Sequence, residues 1–278
     1  MDFRTILNGN RNYTFHSHTQ FCDGHATMEQ MVTAALAQGM EFYGFSPHSP
    51  IPIPSPCNMS YDSVPQYLHE VARLKDAFEG KPIELFAGME IDYLGEDFGP
   101  ASEYFRTIPL DYVIASIHFI PNQHGEPVDV DGSFDNFKRK MSDMFNGDID
   151  YVVETFFRQE LAMIESGHFD ILGHFDKVGM NAGYYAPGIE DGSHYKALVS
   201  EVIDSIIDRN LTIELNTKAR EQHGRFFPGE VYLPRLVDAG VTILVNSDAH
   251  RPDRITASRA EAFRILDSLS KPNETNPA

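Results

Sequence analysis

The chain has 278 residues, 42% of them apolar, and a formal charge of −19. That apolar content supports a packed core and excludes a disordered chain, and no run approaches the ~20 apolar residues of a membrane-spanning helix. So strong a negative field repels phosphate backbones and anionic lipid, which argues against nucleic acid and membranes as partners.

In chain order, MDFRTILNGNRN lacks the apolar stretch of a signal peptide, and Cys22 and Cys57 are too few for a disulfide framework. A cytoplasmic protein is therefore expected. NYTFHSH (12–18) alternates like a short strand. Thr27 with Gln30 forms a capping-box start for a helix that Gly39 ends. FYGFSPH (42–48) is a second strand, and the four prolines of PIPIPSP (50–56) enforce an irregular loop. A helix over 63–79 leads to the strand PIELFAGMEIDY (82–93), and a short one near 100–107 leads to DYVIASIHF (111–119). A stretch of mixed composition, 120–148, precedes a helix over 149–166 and the strand FDILGHFD (169–176). A Gly-rich segment (179–192) and a helix over 194–209 lead to LTIELNT (211–217). A second irregular stretch (218–228), a helix ending near Gly240, VTILVNSDAH (241–250) and a helix over 256–269 complete the chain.

Seven strands alternating with helices, without a low-complexity linker, predict one α/β domain over 1–278 with a parallel sheet covered by helices. Strand ends carry most of the chemistry: His16 and His18, His48, Glu90, His118, His174, then Asp248 and His250. In parallel β/α folds those ends form one face. An open sheet spreads them along a line, whereas a barrel gathers them around one point, so the convergence favours a barrel. His16 and His18 are two apart and share a face of their strand, as do Asp248 and His250. Imidazole with carboxylate suits Zn, Mn or Fe. One histidine at a strand end is more often a core or loop residue than a ligand; six at matched ends point to metal. Asp92 reads as a loop acid. His69, His124, His168, His194 and His223 read as solvated or structural, and Cys22 as a free buried thiol.

The motifs HSH (16–18), DGH (23–25), SPHS (46–49), GMEIDY (88–93), SIHF (116–119), GHFD (173–176) and SDAH (247–250) occur together in this order. In them the chain resembles the polymerase-and-histidinol-phosphatase (PHP) superfamily, and within it the histidinol-phosphatase branch. The resemblance implies a distorted, TIM-like (β/α)7 barrel with the site at the C-terminal ends of the strands. It implies up to three divalent ions: one on His16, His18, Glu90 and Asp248; a second on Glu90, His118 and His174; a third on Asp23, His48 and His250, with His25 the alternative to Asp23.

The expected activity is hydrolysis of L-histidinol phosphate, a step of histidine biosynthesis, by direct attack of a hydroxide shared between two ions. The alternative is another small phosphate ester, such as a sugar phosphate or nucleotide. Glu90, Asp248 and His250 are the expected catalytic residues, the last two through proton transfer. Three dications outweigh the acids that hold them, so a positive site can exist in an acidic chain. Basic residues expected to meet the phosphate are Lys177, Lys218, Arg220 and Arg225, with Arg139 a further possibility. No feature specifies an oligomeric state.

Overall fold

The computed structural model describes residues 1–270. Its strands are β1 (Tyr13–Thr14), β2 (Phe42–Phe45), β3 (Glu84–Asp92), β4 (Tyr112–Ser116), β5 (Phe119–Pro121), β6 (Pro127–Asp129), β7 (Ile171–Leu172), β8 (Thr212–Asn216) and β9 (Thr242–Asn246). Its helices are α1 (Phe3–Leu7), α2 (Met28–Ala37), α3 (Val64–Ala77), α4 (Glu103–Arg106), α5 (Phe134–Met144), α6 (Ile149–Ser166), α7 (Val178–Tyr185), α8 (Ser193–Asp208), α9 (Arg220–His223), α10 (Leu233–Asp238) and α11 (Arg259–Ser270).

Seven strands pair in the order β1-β2-β3-β4-β7-β8-β9, and each pairing is parallel. The sheet curls until its first and last strands meet. Just past β1 and β9, Ser17 bridges Ala249 in parallel, with His18 N donating to Ala249 O at 2.9 Å. Lower in this seam, side chains replace the ladder. Phe15 N donates to Asn246 Oδ1 and Val245 N to Tyr13 Oη. This is a nearly closed (β/α)7 barrel, as expected, and the irregular seam is its distortion.

The barrel interior is filled from below by aromatic rings. Phe3 and Leu7 of α1 pack with Phe15, Phe86 and Tyr112, and the Phe3 and Phe15 ring centroids are 4.9 Å apart. Tyr112 lies across the barrel and donates to Phe15 O and Phe45 O. Two strand glycines make room for it: a Cβ on Gly44 or Gly88 would come within 2.3 or 2.2 Å of Tyr112 atoms. Outside, the helices bury two larger apolar layers against the sheet.

Beyond the short helices α1 and α9, which the sequence reading did not expect, two segments differ more widely from it. The stretch 120–148 is organised. β5 and β6 form an antiparallel hairpin, and α5 follows with Ser133 capping its first turn. The Gly-rich segment begins with helix α7 rather than a loop. Glycine is a poor helix former, but here packing decides. A Cβ on Gly179 would sit 2.3 Å from Tyr195 Oη, and one on Gly183 would sit 3.0 Å from Glu190 Oε1. The α2 cap is as read, with both halves of the Thr27–Gln30 box formed.

Candidate metal centre

The parallel register brings the strand ends to one face, and barrel closure turns that face into a cup. Glu90, two residues from the end of β3 and 1% exposed, stands at its middle. Its Oε2 lies 3.2 Å from His16 Nε2, 3.5 Å from His18 Nε2 and 3.0 Å from His48 Nδ1. Its Oε1 lies 3.0 Å from His174 Nε2 and 3.5 Å from His118 Nε2. Asp248 Oδ1 completes the group around the first pair, 3.8 Å from His16 Nε2 and 3.0 Å from His18 Nε2. Asp23 Oδ1 lies 3.2 Å from His250 Nε2 and 3.9 Å from His48 Nε2. His25 is exposed and only its backbone N–H reaches the site, donating to His250 O.

Three groups of donor atoms lie within 4.8 Å of one another: His18–Asp23–His48–His250, His16–His18–Asp248 and His48–Glu90–His118. His18 and His48 each join two groups, where the sequence reading gave each to one ion. Among the described residues, four of these donor atoms are buried without a hydrogen-bond partner: His16 Nε2, His18 Nε2, Glu90 Oε2 and Asp23 Oδ1. Leaving a buried polar atom unpaired costs about 1–3 kcal/mol. Four such atoms in one cup fit divalent cations, and a set of N and O donors without thiolate fits Zn, Mn or Fe.

Other residues hold the ligands in place. Glu214 on β8, fully buried, takes His16 Nδ1 at 2.8 Å. It also accepts from His174 N, Asn216 Nδ2 and Asn246 Nδ2. Asp92 takes His118 Nδ1 at 2.7 Å and Asn58 Nδ2 at 2.7 Å. It is 1% exposed and no loop acid, because it is the last residue of β3 on the Glu90 face. Carboxylates of this kind fix the tautomer and orientation of metal-binding histidines. Sequence reasoning passed over Glu214 altogether. Its signal was LTIELNT, an acid inside an apolar strand whose neighbours end in ligands. Asp248 has φ +49, a left-handed backbone that costs a non-glycine residue about 1–2 kcal/mol. Asn216 Nδ2 and Lys218 Nζ hold its carboxylate.

The imidazoles sit in opposed fields. Burial lowers the His118 pKa, but Asp92 and Glu90 outweigh it and raise it to about 9. Burial, reinforced by Lys177, takes His174 down to about 4. A bound cation favours the neutral ligand form of both.

Above the cup lies a pocket of about 770 Å³. Lys177, Lys218 and Arg139 line it, together with apolar side chains including Ile53, Phe119 and Met144. Lys177 Nζ meets Asp131 Oδ2 at 2.7 Å, and Lys218 Nζ is 3.3 Å from both Asp248 Oδ1 and His250 Nε2. The structure does not bring Arg220 and Arg225 to this pocket. Carboxylates elsewhere claim them: Glu261 and Glu230 hold Arg220, and Asp176 and Glu190 hold Arg225.

Residues 14–218 match the model of the PHP domain. The chain belongs to the PHP domain family. The matched segment contains every donor residue of the cup except Asp248 and His250, which the Ser17–Ala249 bridge carries to the rest of the PHP site. A relative from Deinococcus radiodurans named "Probable histidinol-phosphatase" is 25% identical over 266 residues, covering 92% of this chain and 90% of its own. A histidinol-phosphatase of Lactococcus lactis is 23% identical over 208 residues, covering 74% and 71%. The crystal structure of a histidinol phosphate phosphatase from Lactococcus lactis, complexed with zinc, L-histidinol and phosphate, superposes with a TM-score of 0.69. Its identity is 20%, over 94% of this chain and 95% of that one, and the likeness shows a shared PHP fold.

Proposed function

We propose that this chain is a metal-dependent phosphomonoesterase that hydrolyses L-histidinol phosphate to L-histidinol and phosphate. The observation that carries the reading is the set of unpartnered donor atoms on His16, His18, Asp23 and Glu90, in a cup whose Asp23, His48, His118 and Asp248 line a pocket together with Lys177 and Lys218. The relatives' names and the ligands of the Lactococcus lactis crystal structure support the substrate.

His16, His18, Glu90 and Asp248 would hold one divalent ion, Glu90 with His118 and His174 a second, and Asp23, His48 and His250 a third. Zinc is favoured by that relative, with manganese and iron also suited to the donors. Divalent ions supply polarisation of the phosphoryl oxygens and a water ionised near neutral pH. The chain does the rest. Glu214 and Asp92 hold His16 and His118 with their Nε2 atoms toward Glu90. Lys177 and Lys218 offer fixed charge to the phosphate dianion, and Asp131 holds Lys177 at the pocket wall. Phe119, Ile53 and Met144 exclude water around the organic part of the substrate. Asp248 Oδ1 and His250 Nε2 both lie 3.3 Å from Lys218 Nζ; as ion ligands they would carry no proton, so the Lys218 ammonium is the one of these three groups with a proton to give.

The test is phosphate release from L-histidinol phosphate by purified protein of measured metal content, with His16→Ala and Glu90→Ala alongside. The expected result is turnover by the parent and a loss of at least a hundredfold in each variant. Undiminished turnover by a variant carrying its full metal complement would overturn the reading.

A further inference from the structure

Five aspartates line the pocket: Asp23, Asp129, Asp131, Asp143 and Asp248. Four of them are engaged. Asp23 faces His250, and Asp248 faces His18 and Lys218. Lys140 Nζ meets Asp129 Oδ2 at 2.7 Å, and Lys177 Nζ meets Asp131 Oδ2 at 2.7 Å. Among the described residues Asp143 has no ion-pair or hydrogen-bonding partner. It lies in the last turn of α5, which carries no basic residue. An acid there opposes the helix dipole, whose carbonyl end is already negative. The sequence thus places an uncompensated carboxylate where the backbone makes it unfavourable, on the wall of the pocket. Arg139 and Lys140, one turn earlier on α5, line the same wall, but Lys140 is held by Asp129 and Arg139 donates to Asn136, so neither is paired with Asp143.

We infer that Asp143, with the carbonyl end of α5, receives the cationic nitrogen of the substrate and so selects aminoalkyl phosphates over neutral phosphate esters. The inference rests on the pocket being a phosphomonoesterase site, as proposed above, and adds which wall reads the substrate's other end. The pocket is then bipolar. Lysines and the histidine cup take the phosphate, and the last turn of α5 takes the ammonium. Met144, the neighbour of Asp143, and Phe119 line the same pocket and offer apolar surface to the carbon chain and ring. α5 follows the β5–β6 hairpin, so the selecting wall lies on the excursion between β4 and α6, outside the strands that carry the donor residues.

The experiment compares kcat/KM for L-histidinol phosphate with kcat/KM for p-nitrophenyl phosphate, which carries no cation, in the metal-loaded enzyme. In Asp143→Asn the ratio of the two is expected to fall about tenfold, the low end for a charge-assisted contact in an open pocket. The fall should come through KM for histidinol phosphate. Asp143→Glu, which keeps the charge, should recover much of the ratio. Asp135→Asn, an equal charge change in the first turn of the same helix and away from the pocket, should leave the ratio unchanged. An unchanged ratio in Asp143→Asn overturns the inference. So does an equal loss on both esters, which signals a structural role. A parent enzyme with no preference for histidinol phosphate refutes the proposed substrate instead, and that is visible before any Asp143 variant is made.

Discussion

Glu214 provides the sharpest test of how the chain prepares its donors. It is fully buried and accepts four hydrogen bonds: from His16 Nδ1 at 2.8 Å, Asn216 Nδ2 at 3.0 Å, and His174 N and Asn246 Nδ2 at 3.2 Å. Oε1 serves His174 and Asn216, and Oε2 serves His16 and Asn246. Glu214→Gln keeps the shape and one oxygen. Its amide can still accept from His174 N and Asn216, but its NH2 then faces two donors. Asn246 can turn its amide only by giving up Phe15 N, which donates to Asn246 Oδ1. His16 has an easier escape. It moves its proton from Nδ1 to Nε2, the atom 3.2 Å from Glu90. That nitrogen then has no lone pair to offer a cation, and recovering it restores the donor clash. Losing a carboxylate behind a metal-binding histidine typically costs 10–100-fold in metal affinity, about 1.4–2.7 kcal/mol. The assay is competition for zinc with a chelator of known affinity, on the parent and Glu214→Gln, with circular dichroism showing both folded. We expect one equivalent of metal to weaken by this factor while the others hold. Equal affinity for every equivalent would refute the tautomer argument.

Two further outcomes follow from charges elsewhere. Glu160 on α6 is fully buried, neither carboxylate oxygen has a partner among the described residues, and burial together with Asp176 holds its pKa well above the ordinary value. The folded chain keeps a proton that the unfolded chain releases above a pKa of ~4.3, so stability present below that pH is lost as pH rises toward the folded pKa. Glu160→Gln should therefore stabilise by up to about 3 kcal/mol at pH 7 and by almost nothing at pH 4, read from urea melts. An equal gain at both pH values would remove the titration from the account. Arg220→Ala should leave KM for the phosphate ester within about twofold, because Glu261 and Glu230 hold that guanidinium away from the pocket. It should cost about 1 kcal/mol of stability, as expected for half-exposed ion pairs; a large rise in KM would return Arg220 to the substrate.

The order of elements and the residues that meet in the cup were legible in the sequence because both follow from short-range regularities. Strands in a parallel barrel are short apolar runs, and their C-terminal residues must face the same side. Six histidines at matched ends therefore pointed to one cup. What was not legible depended on contacts between distant segments. Gly179 and Gly183 looked like loop glycines, and only Tyr195 and Glu190, packed against them, explain why a helix accepts them. Arg220 and Arg225 follow the right strand, but carboxylates far away in sequence decide where their long side chains go. Asp92 was visible as the second acid of an E-x-D pair on one strand face. Its role was hidden because only the His118 Nδ1 contact distinguishes a ligand support from a loop acid.

The barrel seam explains why the cup can form with seven strands. Between β9 and β1 the backbones do not complete a ladder, so Phe15 N and Val245 N would be buried donors without partners. Asn246 Oδ1 and Tyr13 Oη take them. The same Asn246 donates to Glu214, and Glu214 holds His16. One hydrogen-bond chain therefore closes the barrel and anchors His16, the first histidine of the cup. The Ser17–Ala249 bridge lies between His16 and His18 on one side and between Asp248 and His250 on the other. Closure and assembly of the cup are in this respect a single event. A change that opens the seam should separate Asp248 and His250 from the cup before it unravels any other strand pair.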